Sequence, residues 1–350
     1  MNFSNPILLI LSSLLCLHFE SPTPDSEFIF DSASYPSCHA STIVELPNGD
    51  LLSAWFGGTE EGNPDVAIWG SRKTNGKWST PVEIIREKET PCWNPVYFIG
   101  ADHRLWFYYK YGTSPMTWSA GRKYSDDNGL SWSAIEHLPS GILGPIRAKP
   151  LVLKNGVIVS GSSVESYGTW SVWIERSRNN GKSFTKIGPI TVAENLMDIH
   201  ATRALMGNKR SIGIIQPSIV QISKKHLRMY ARSTTNIGKV CVADSYDEGK
   251  KWTPARPLNI PNPNSGLDAI RLNDGRVVLI YNNTSTGRTP LNLAASDNGE
   301  NFKMFYTLEN APGEYSYPNI IQGKNGDLHI TYTWNRTHIK YVHFKLTDIP

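Results

Sequence analysis

The sequence predicts an all-β protein: a six-bladed β-propeller with four antiparallel strands per blade, closed by a strand from the N-terminus. Three observations predict it. A turn motif recurs along the chain, a strand–turn–strand pattern interleaves with it, and the last repeat lacks its outer strand. Internal repeats at this period mark propellers and solenoids.

The turn motif reads S-x-D-x-G-x-x-[WF]. Ser125–Trp132 and Ser245–Trp252 fit it, Ser177–Phe184 fits with Asn179 for the aspartate, and Ala295–Phe302 fits with alanine for serine. Ser71–Trp78 is a degenerate fifth copy. Gly76, Gly129, Gly181, Gly249 and Gly299 recur about every 50 residues, with one gap of about 70. Aspartate accepts backbone N–H groups inside a tight hairpin, glycine supplies the left-handed conformation, and the aromatic packs between sheets. An EF-hand would need an acidic ladder and a closing glutamate, which are absent.

The interleaved strands are rich in Val, Ile, Tyr and Trp. The first unit opens at Ser41 and runs through Asn48-Gly49 to Trp55, and the second opens at Asn94-Pro95. Pro150, Pro217, Ala269 and Pro318 begin the others. No segment reads as a helix. After Ile339–Phe344 the sixth unit has no fourth strand, and Phe28–Asp31 is free to supply it and bury both edges.

Composition narrows the function. The 350 residues carry 35 Lys+Arg against 31 Asp+Glu, with 11% aromatics. The mean hydropathy of −0.33 and the near-balanced charge describe a soluble, core-forming chain. The net charge of +4 is dispersed, which argues against nucleic acid as a partner. No apolar stretch after residue 20 is long enough to cross a bilayer. The run from Pro6 to Leu17, followed by polar Glu20–Asp25, reads as a signal peptide over residues 1–20, with a linker over 21–27 and one domain over 28–346. This predicts a secreted, periplasmic or extracellular monomer. Asn282, Asn283 and Asn335 are glycosylation acceptors in a eukaryotic route. Cys38, Cys92 and Cys241 have no metal spacing, so no metal or cofactor is expected; a Cys38–Cys92 bridge is one possibility and three buried thiols the other.

These turns on a six-bladed propeller resemble the exo-sialidase (neuraminidase) superfamily over residues 28–345. The segments Cys38–Thr42, Phe56–Gly62, Leu258–Gly266, Gly313–Pro318 and His329–Arg336 are similar to a bacterial and plant group described as sialidase-like. The resemblance implies a carbohydrate partner. In a propeller, strand-one starts and strand two–three loops share one edge, opposite the Asp boxes. That edge gathers His39, Asn94, Arg147, Lys149, Gln216, Asp268 and Tyr317, with Glu60, Glu61, Asp65, Lys110, Glu165, Arg232, Arg288, Trp334 and Arg336 on the companion loops.

True sialidases use a nucleophilic tyrosine, an activating glutamate, an aspartic acid and three arginines. Carried over by register, the first arginine falls on His39 and the acid on Glu60 or Glu61. The activating glutamate falls on Gln216 and the second arginine near Lys239 or Val240, so that arginine is absent or replaced by lysine. The third falls on Arg288, and the nucleophile on Tyr317, with Tyr315 the better local match. Glutamine cannot act as a base, and histidine plus lysine do not reproduce a bidentate clamp. The expectation is an exo-acting glycosidase on a terminal sugar, an acidic one among the candidates, and poor on ordinary sialosides. Arg288 with Lys149 or Arg147 would hold the anion, Glu60 or Glu61 would donate the proton, and Tyr317 or Glu314 would face the anomeric carbon. Two alternatives stand beside it. One is a uronate-directed lyase using His39 and Tyr317. The other is a non-catalytic carbohydrate-binding propeller.

Overall fold

A computed structural model describes residues 24–166, 169–193 and 212–349. The segment read as a signal peptide lies outside the described residues, so that reading is untouched. Among the described residues the structure is built from β-strands, with only short 3-10 turns such as Pro115–Thr117 and Leu346–Asp348. Among the described residues no helix is long and apolar enough to cross a membrane.

After β1 (Asp25–Phe28), the strands fall into six antiparallel units. The first holds β2 (Ser37–Glu45), β3 (Leu51–Gly58) and β4 (Ala67–Thr74), with β5 (Lys77–Trp78) and β6 (Val82–Ile85) both paired to β4. The second is β7 (Cys92–Ile99), β8 (Leu105–Tyr111), β9 (Ser119–Ser125) and β10 (Glu136–His137). The third is β11 (Leu151–Val152), β12 (Ile158–Ser166), β13 (Thr169–Ser177) and β14 (Thr185–Ile190). The fourth is β15 (Ile212–Gln221), β16 (Leu227–Ser233), β17 (Lys239–Ser245) and β18 (Arg256–Pro261), joined to the third by a short parallel pairing at Trp170 and Gly213. The fifth is β19 (Asp268–Arg271), β20 (Val277–Tyr281), β21 (Leu291–Ser296) and β22 (Lys303–Glu309). The sixth is β23 (Tyr315–Gln322), β24 (Leu328–Trp334) and β25 (His338–Phe344), with β1 on its outer edge.

The N-terminal strand therefore does complete the sixth unit, but it lies three residues earlier than Phe28–Asp31. Asp25 pairs with His343 and Phe28 with Lys340, so the strand takes up Asp25–Glu27 of the stretch expected to be linker. The reason is hydrophobic. After a last ladder bond from Ile29 N–H to the Ile339 carbonyl at 2.9 Å, the side chains of Ile29 and Phe30 are buried beside Trp55, Tyr35 and Ile339, where the sixth unit meets the first.

The innermost strands are stitched across units by polar side chains. Ser41 Oγ donates to Thr331 Oγ1 at 3.0 Å, Asn319 Oδ1 accepts Ile43 N–H, and Thr42 Oγ1 accepts Tyr97 N–H. Asp268, fully buried, is the hub: it accepts bonds from Ser218 Oγ, Lys149 Nζ, Asn319 Nδ2 and Ile320 N–H, all within 3.0 Å. Burial of a carboxylate is tolerable only when it is satisfied this way. Asp268 and Lys149, expected at the functional edge, are structural.

The Asp boxes fold as turns. Asp127 Oδ1 accepts the N–H groups of Leu130 and Ser131, and Asp247 Oδ1 those of Lys250 and Lys251. The fourth copy departs from the expected register: Asn298, not Asp297, accepts the N–H groups of Glu300 and Asn301, capped by Ser296 rather than Ala295. Ser71–Trp78 instead makes a two-residue hairpin at Asn75-Gly76, both in the left-handed region. Cys38, Cys92 and Cys241 are free and buried, so no Cys38–Cys92 bridge forms. Burial pushes the thiols of Cys92 and Cys241 up to about 12.

Candidate active site

One irregularity, repeated in four units, builds the site. Between His39 and Thr42, Trp93 and Val96, Ile215 and Ser218, and Ser316 and Asn319, two residues of the innermost strand oppose one on its neighbour. The first residue of each bulge lies in the left-handed region: Ala40 (φ 60°), Asn94 (φ 34°), Gln216 (φ 53°) and Tyr317 (φ 51°). Three of them precede proline, which ordinarily favours extended backbone. Such a residue costs about 1–3 kcal/mol and concentrates at functional sites, where a bulge re-aims a side chain.

Asn94, Gln216 and Tyr317 turn into one cavity of about 200 Å³. Its wall includes Arg232, Arg288 and Arg336, the carboxylates of Glu61 and Glu165, and Trp93, Trp118 and Trp170. Tyr317 forms its floor. The phenol oxygen accepts from Arg232 at 2.8 Å and faces Gln216 Nε2 at 3.1 Å. Arg147, Arg232 and Arg288 lie within 6 Å of its ring centre, at 5.2, 5.8 and 5.7 Å.

Each guanidinium is positioned from behind. Arg232 Nε donates to Asn264 Oδ1 at 2.8 Å. Arg288 rides on a loop pinned by Asn282, whose Nδ2 donates to the carbonyls of Arg288, Pro290 and Tyr315 at 2.9–3.0 Å. Asn282 is thus buried and committed, which rules against its reading as a glycosylation acceptor. Arg336 comes from the hairpin tip between β24 and β25, where Asn335 and Arg336 both adopt φ near 50–61°. Its carbonyl accepts Cys38 N–H at 2.7 Å, docking the tip on the first unit.

Glu314 bridges two of these arginines, accepting Arg288 at 2.9 Å and Arg336 at 2.8 Å. Burial would raise its pKa, but Arg288 and Arg336 hold it below the usual range. Glu61 accepts a second bond from Arg336. Among the described residues Glu165 has no such partner, and its buried Oε1 is unbonded. Burial pushes its pKa to about 7, with Arg232 opposing and Glu61 reinforcing the rise.

His39 lies beneath the floor, its ring centre 4.1 Å from that of Tyr317, and both ring nitrogens are buried without partners among the described residues. Burial, then Arg336, Arg288, Arg147 and Arg232, hold it well below its ordinary pKa, so the imidazole is neutral.

The expected residues therefore divide. Glu61, Asn94, Glu165, Gln216, Arg232, Arg288, Tyr317 and Arg336 share the cavity, backed by His39 and Glu314. Glu60 does not; it sits on a neighbouring outer depression with Ser37. Asp65 orders the loop by accepting Thr59 N–H and Oγ. Tyr315 is core, and Trp334 packs edge-on to Phe28. Lys110 is wholly buried and donates to the Pro145 carbonyl. The carry-over of the second arginine to Lys239 or Val240 is also corrected. Lys239 reaches Asn259 at 3.3 Å, Val240 is core, and Arg232 fills the position beside Tyr317. None of Asp127, Asp247 or Asp297 lines the cavity.

A family model described as a BNR repeat-like domain matches residues 49–330. The chain belongs to the BNR repeat-like family. No curated protein matches this BNR repeat-like chain. Among solved structures it is similar to the NanB sialidase of Streptococcus pneumoniae, at 13% identity and a TM-score of 0.73, covering 93% of this chain and 71% of that one. A protein of unknown function from Dyadobacter fermentans aligns at 17% identity and 0.74, over 91% and 97%. The intramolecular trans-sialidase of Ruminococcus gnavus aligns at 13% and 0.69, over 93% and 98%. The BNR repeat-like chain thus has the sialidase-like fold that its turns resemble.

Proposed function

We propose that this chain is a secreted, exo-acting glycoside hydrolase for a terminal sugar carrying a carboxylate. On this reading its six units close as blades of one propeller, with the cavity at one end of the axis. The observation that carries it is the convergence of Arg232, Arg288 and Arg336 on a cavity of about 200 Å³ floored by Tyr317. Drug-sized ligands occupy about 300–1,000 Å³, so this one suits a single ring at a chain end. Arginine forks match a carboxylate in geometry and charge. Trp93, Trp118 and Trp170 offer the apolar faces that a sugar ring covers.

Tyr317 faces the anomeric carbon from the floor, and its oxygen is held there by hydrogen bonds from Arg232 and Gln216. Gln216 stands where a base would be needed, and an amide takes no proton, so α-sialosides are poor substrates. The test is incubation with oligosaccharides capped by hexuronate, deoxy-ulosonate or sialate, with mass analysis of products for wild type and Tyr317→Phe. Release of a free acidic sugar, gaining one water and abolished by Tyr317→Phe, is the expected result. Binding without release by the wild type would leave a carbohydrate-binding protein.

The neutral His39 against Tyr317 favours a second reading, β-elimination from a uronate. In it the Tyr317 oxygen, its own proton given up to bulk water, takes the proton α to the carboxylate while the β C–O bond breaks, and the leaving oxygen takes a proton from water to depart as an alcohol. The same mass analysis separates the two. Elimination yields an unsaturated uronate without gain of water.

A further inference from the structure

Two of the carboxyl groups in the cavity are not equivalent, and the difference has chemical content. Glu61 is engaged by Arg336, which also binds Glu314. Glu165, near the end of β12, lines the same cavity with Trp170 and Arg232, yet among the described residues its buried Oε1 has no hydrogen-bond partner. Arg232 is close enough to act on it electrostatically, but its Nε is spent on Asn264 and one terminal nitrogen on Gln216 and Tyr317. A desolvated carboxylate with no donor is costly; a carboxylic acid there is not.

We infer that Glu165, rather than Glu60 or Glu61, holds the proton that the leaving glycosidic oxygen takes. This deepens the glycosidase reading and rests on it. As the C–O bond breaks, its electron pair stays on the leaving oxygen, which forms a bond to the Glu165 proton and departs as an alcohol. The anomeric carbon takes an oxygen either from water directly or from Tyr317, whose phenol proton passes to bulk water as the bond forms. Water supplies the final hydroxyl and returns a proton to Glu165, and where Tyr317 had bonded the carbon its oxygen leaves and takes a proton back from bulk water. The groups facing Glu165 are Arg232 from β16 and Glu61 from the loop after β3, with Arg288, Arg336 and Tyr317 across the cavity. The near-neutral pKa of about 7 agrees with this role, since a proton donor works best when its pKa lies near the working pH.

Two measurements test it. The first needs no substrate: carbon-13 NMR titration of glutamate-labelled wild type and Glu165→Gln. One carboxyl should titrate near neutrality and vanish in the variant. If Glu165 titrates with the ordinary carboxylates, the inference is overturned whatever the enzyme turns over. The second compares nitrophenyl and dinitrophenyl glycosides of uronic and sialic acids with the corresponding alkyl glycosides. Glu165→Gln should lose about 10²–10⁴-fold on alkyl leaving groups, as general acids contribute, and much less on dinitrophenol, which departs without a proton. Equal losses on both, or full activity on alkyl glycosides, overturn the inference. A carboxyl that titrates near neutrality in a protein that cleaves none of them overturns the delivery step together with the glycosidase reading.

Discussion

Arg232 donates to the Tyr317 hydroxyl at 2.8 Å, from the fourth unit to the sixth. The same terminal nitrogen reaches Gln216 Oε1 at 3.2 Å. One guanidinium therefore ties together two bulge residues whose backbones are held in the left-handed region. The relationship makes the cavity floor one unit, so changes to any of the three are expected to couple.

The first prediction concerns that unit. Arg232→Ala removes a charge from the anion wall, leaves Gln216 Oε1 without its donor and leaves the Tyr317 oxygen with the Gln216 amide as its remaining one. Loss of such a preorganised donor costs roughly 10²–10³-fold in rate. Arg288→Lys keeps the charge but loses the fork, and should fall between wild type and Arg288→Ala in kcat/KM. Lysine at 288 performing as well as arginine would remove the bidentate clamp.

How far the sequence reached is visible at these residues. The repeated turns expose their chemistry locally, since Asp127 and Asp247 bond residues three and four positions on. The register of the fourth turn was less legible, because Ser296-Asp297-Asn298 offers two side chains able to do the same work. Tyr317 and Gln216 are expected together from their register at strand-one starts, and both line the cavity. The contact of Arg232 with them is harder to read, because the path from Gln216 to Arg232 runs around a hairpin. In an antiparallel pair, Ile215 faces Arg232 directly, and that pairing was the missed signal. So was the recurrence of proline after Asn94, Gln216 and Tyr317, which marks the bulges. Asp268 and Lys149 misled because charge on an inner strand also serves to join units.

The second prediction is a pH effect on stability. Asp244 is buried; burial alone would raise its pKa, but bonds from Arg228 at 2.7 and 3.0 Å and from His226 at 2.7 Å outweigh it and lower it. A carboxylate whose folded pKa is depressed stabilises above the unfolded value of about 3.9, and that stability is lost as pH falls through the folded value. Asp244→Asn should cost roughly 3 kcal/mol at neutral pH, the low end for breaking a buried pair, because Arg228 keeps Glu300. Its melting temperature should also fall less than wild type on acidification. Parallel curves for the two proteins would contradict the assignment.

The third prediction follows from the buried thiols. Cys38, Cys92 and Cys241 should resist an aromatic disulfide reagent in the folded protein, since the thiolate is the reactive form and burial suppresses it. All three should react in denaturant without prior reduction. Reaction of Cys241 without Cys38 and Cys92 would reveal a bridge.

The fourth prediction is a gain of function. Gln216 Nε2 lies 3.1 Å from the Tyr317 oxygen, hydrogen-bond distance for a proton transfer. A phenol is a weak acid and a poor nucleophile until a neighbouring base takes its proton. Gln216→Glu conserves the side-chain length and puts a carboxylate at that distance. Arg232, already bonded to Gln216 Oε1, would balance the new charge, so the variant should fold. A positioned base typically contributes about 10²–10⁴-fold, and hydrolysis of a fluorogenic α-sialoside should rise from background by at least the lower figure. Adding Tyr317→Phe should erase the gain completely, because the new base would then have no proton to take. If Gln216→Glu folds, binds an acidic sugar and still leaves sialosides intact, then Tyr317 is not aimed at the anomeric carbon. The site would then have to be read as binding or elimination instead.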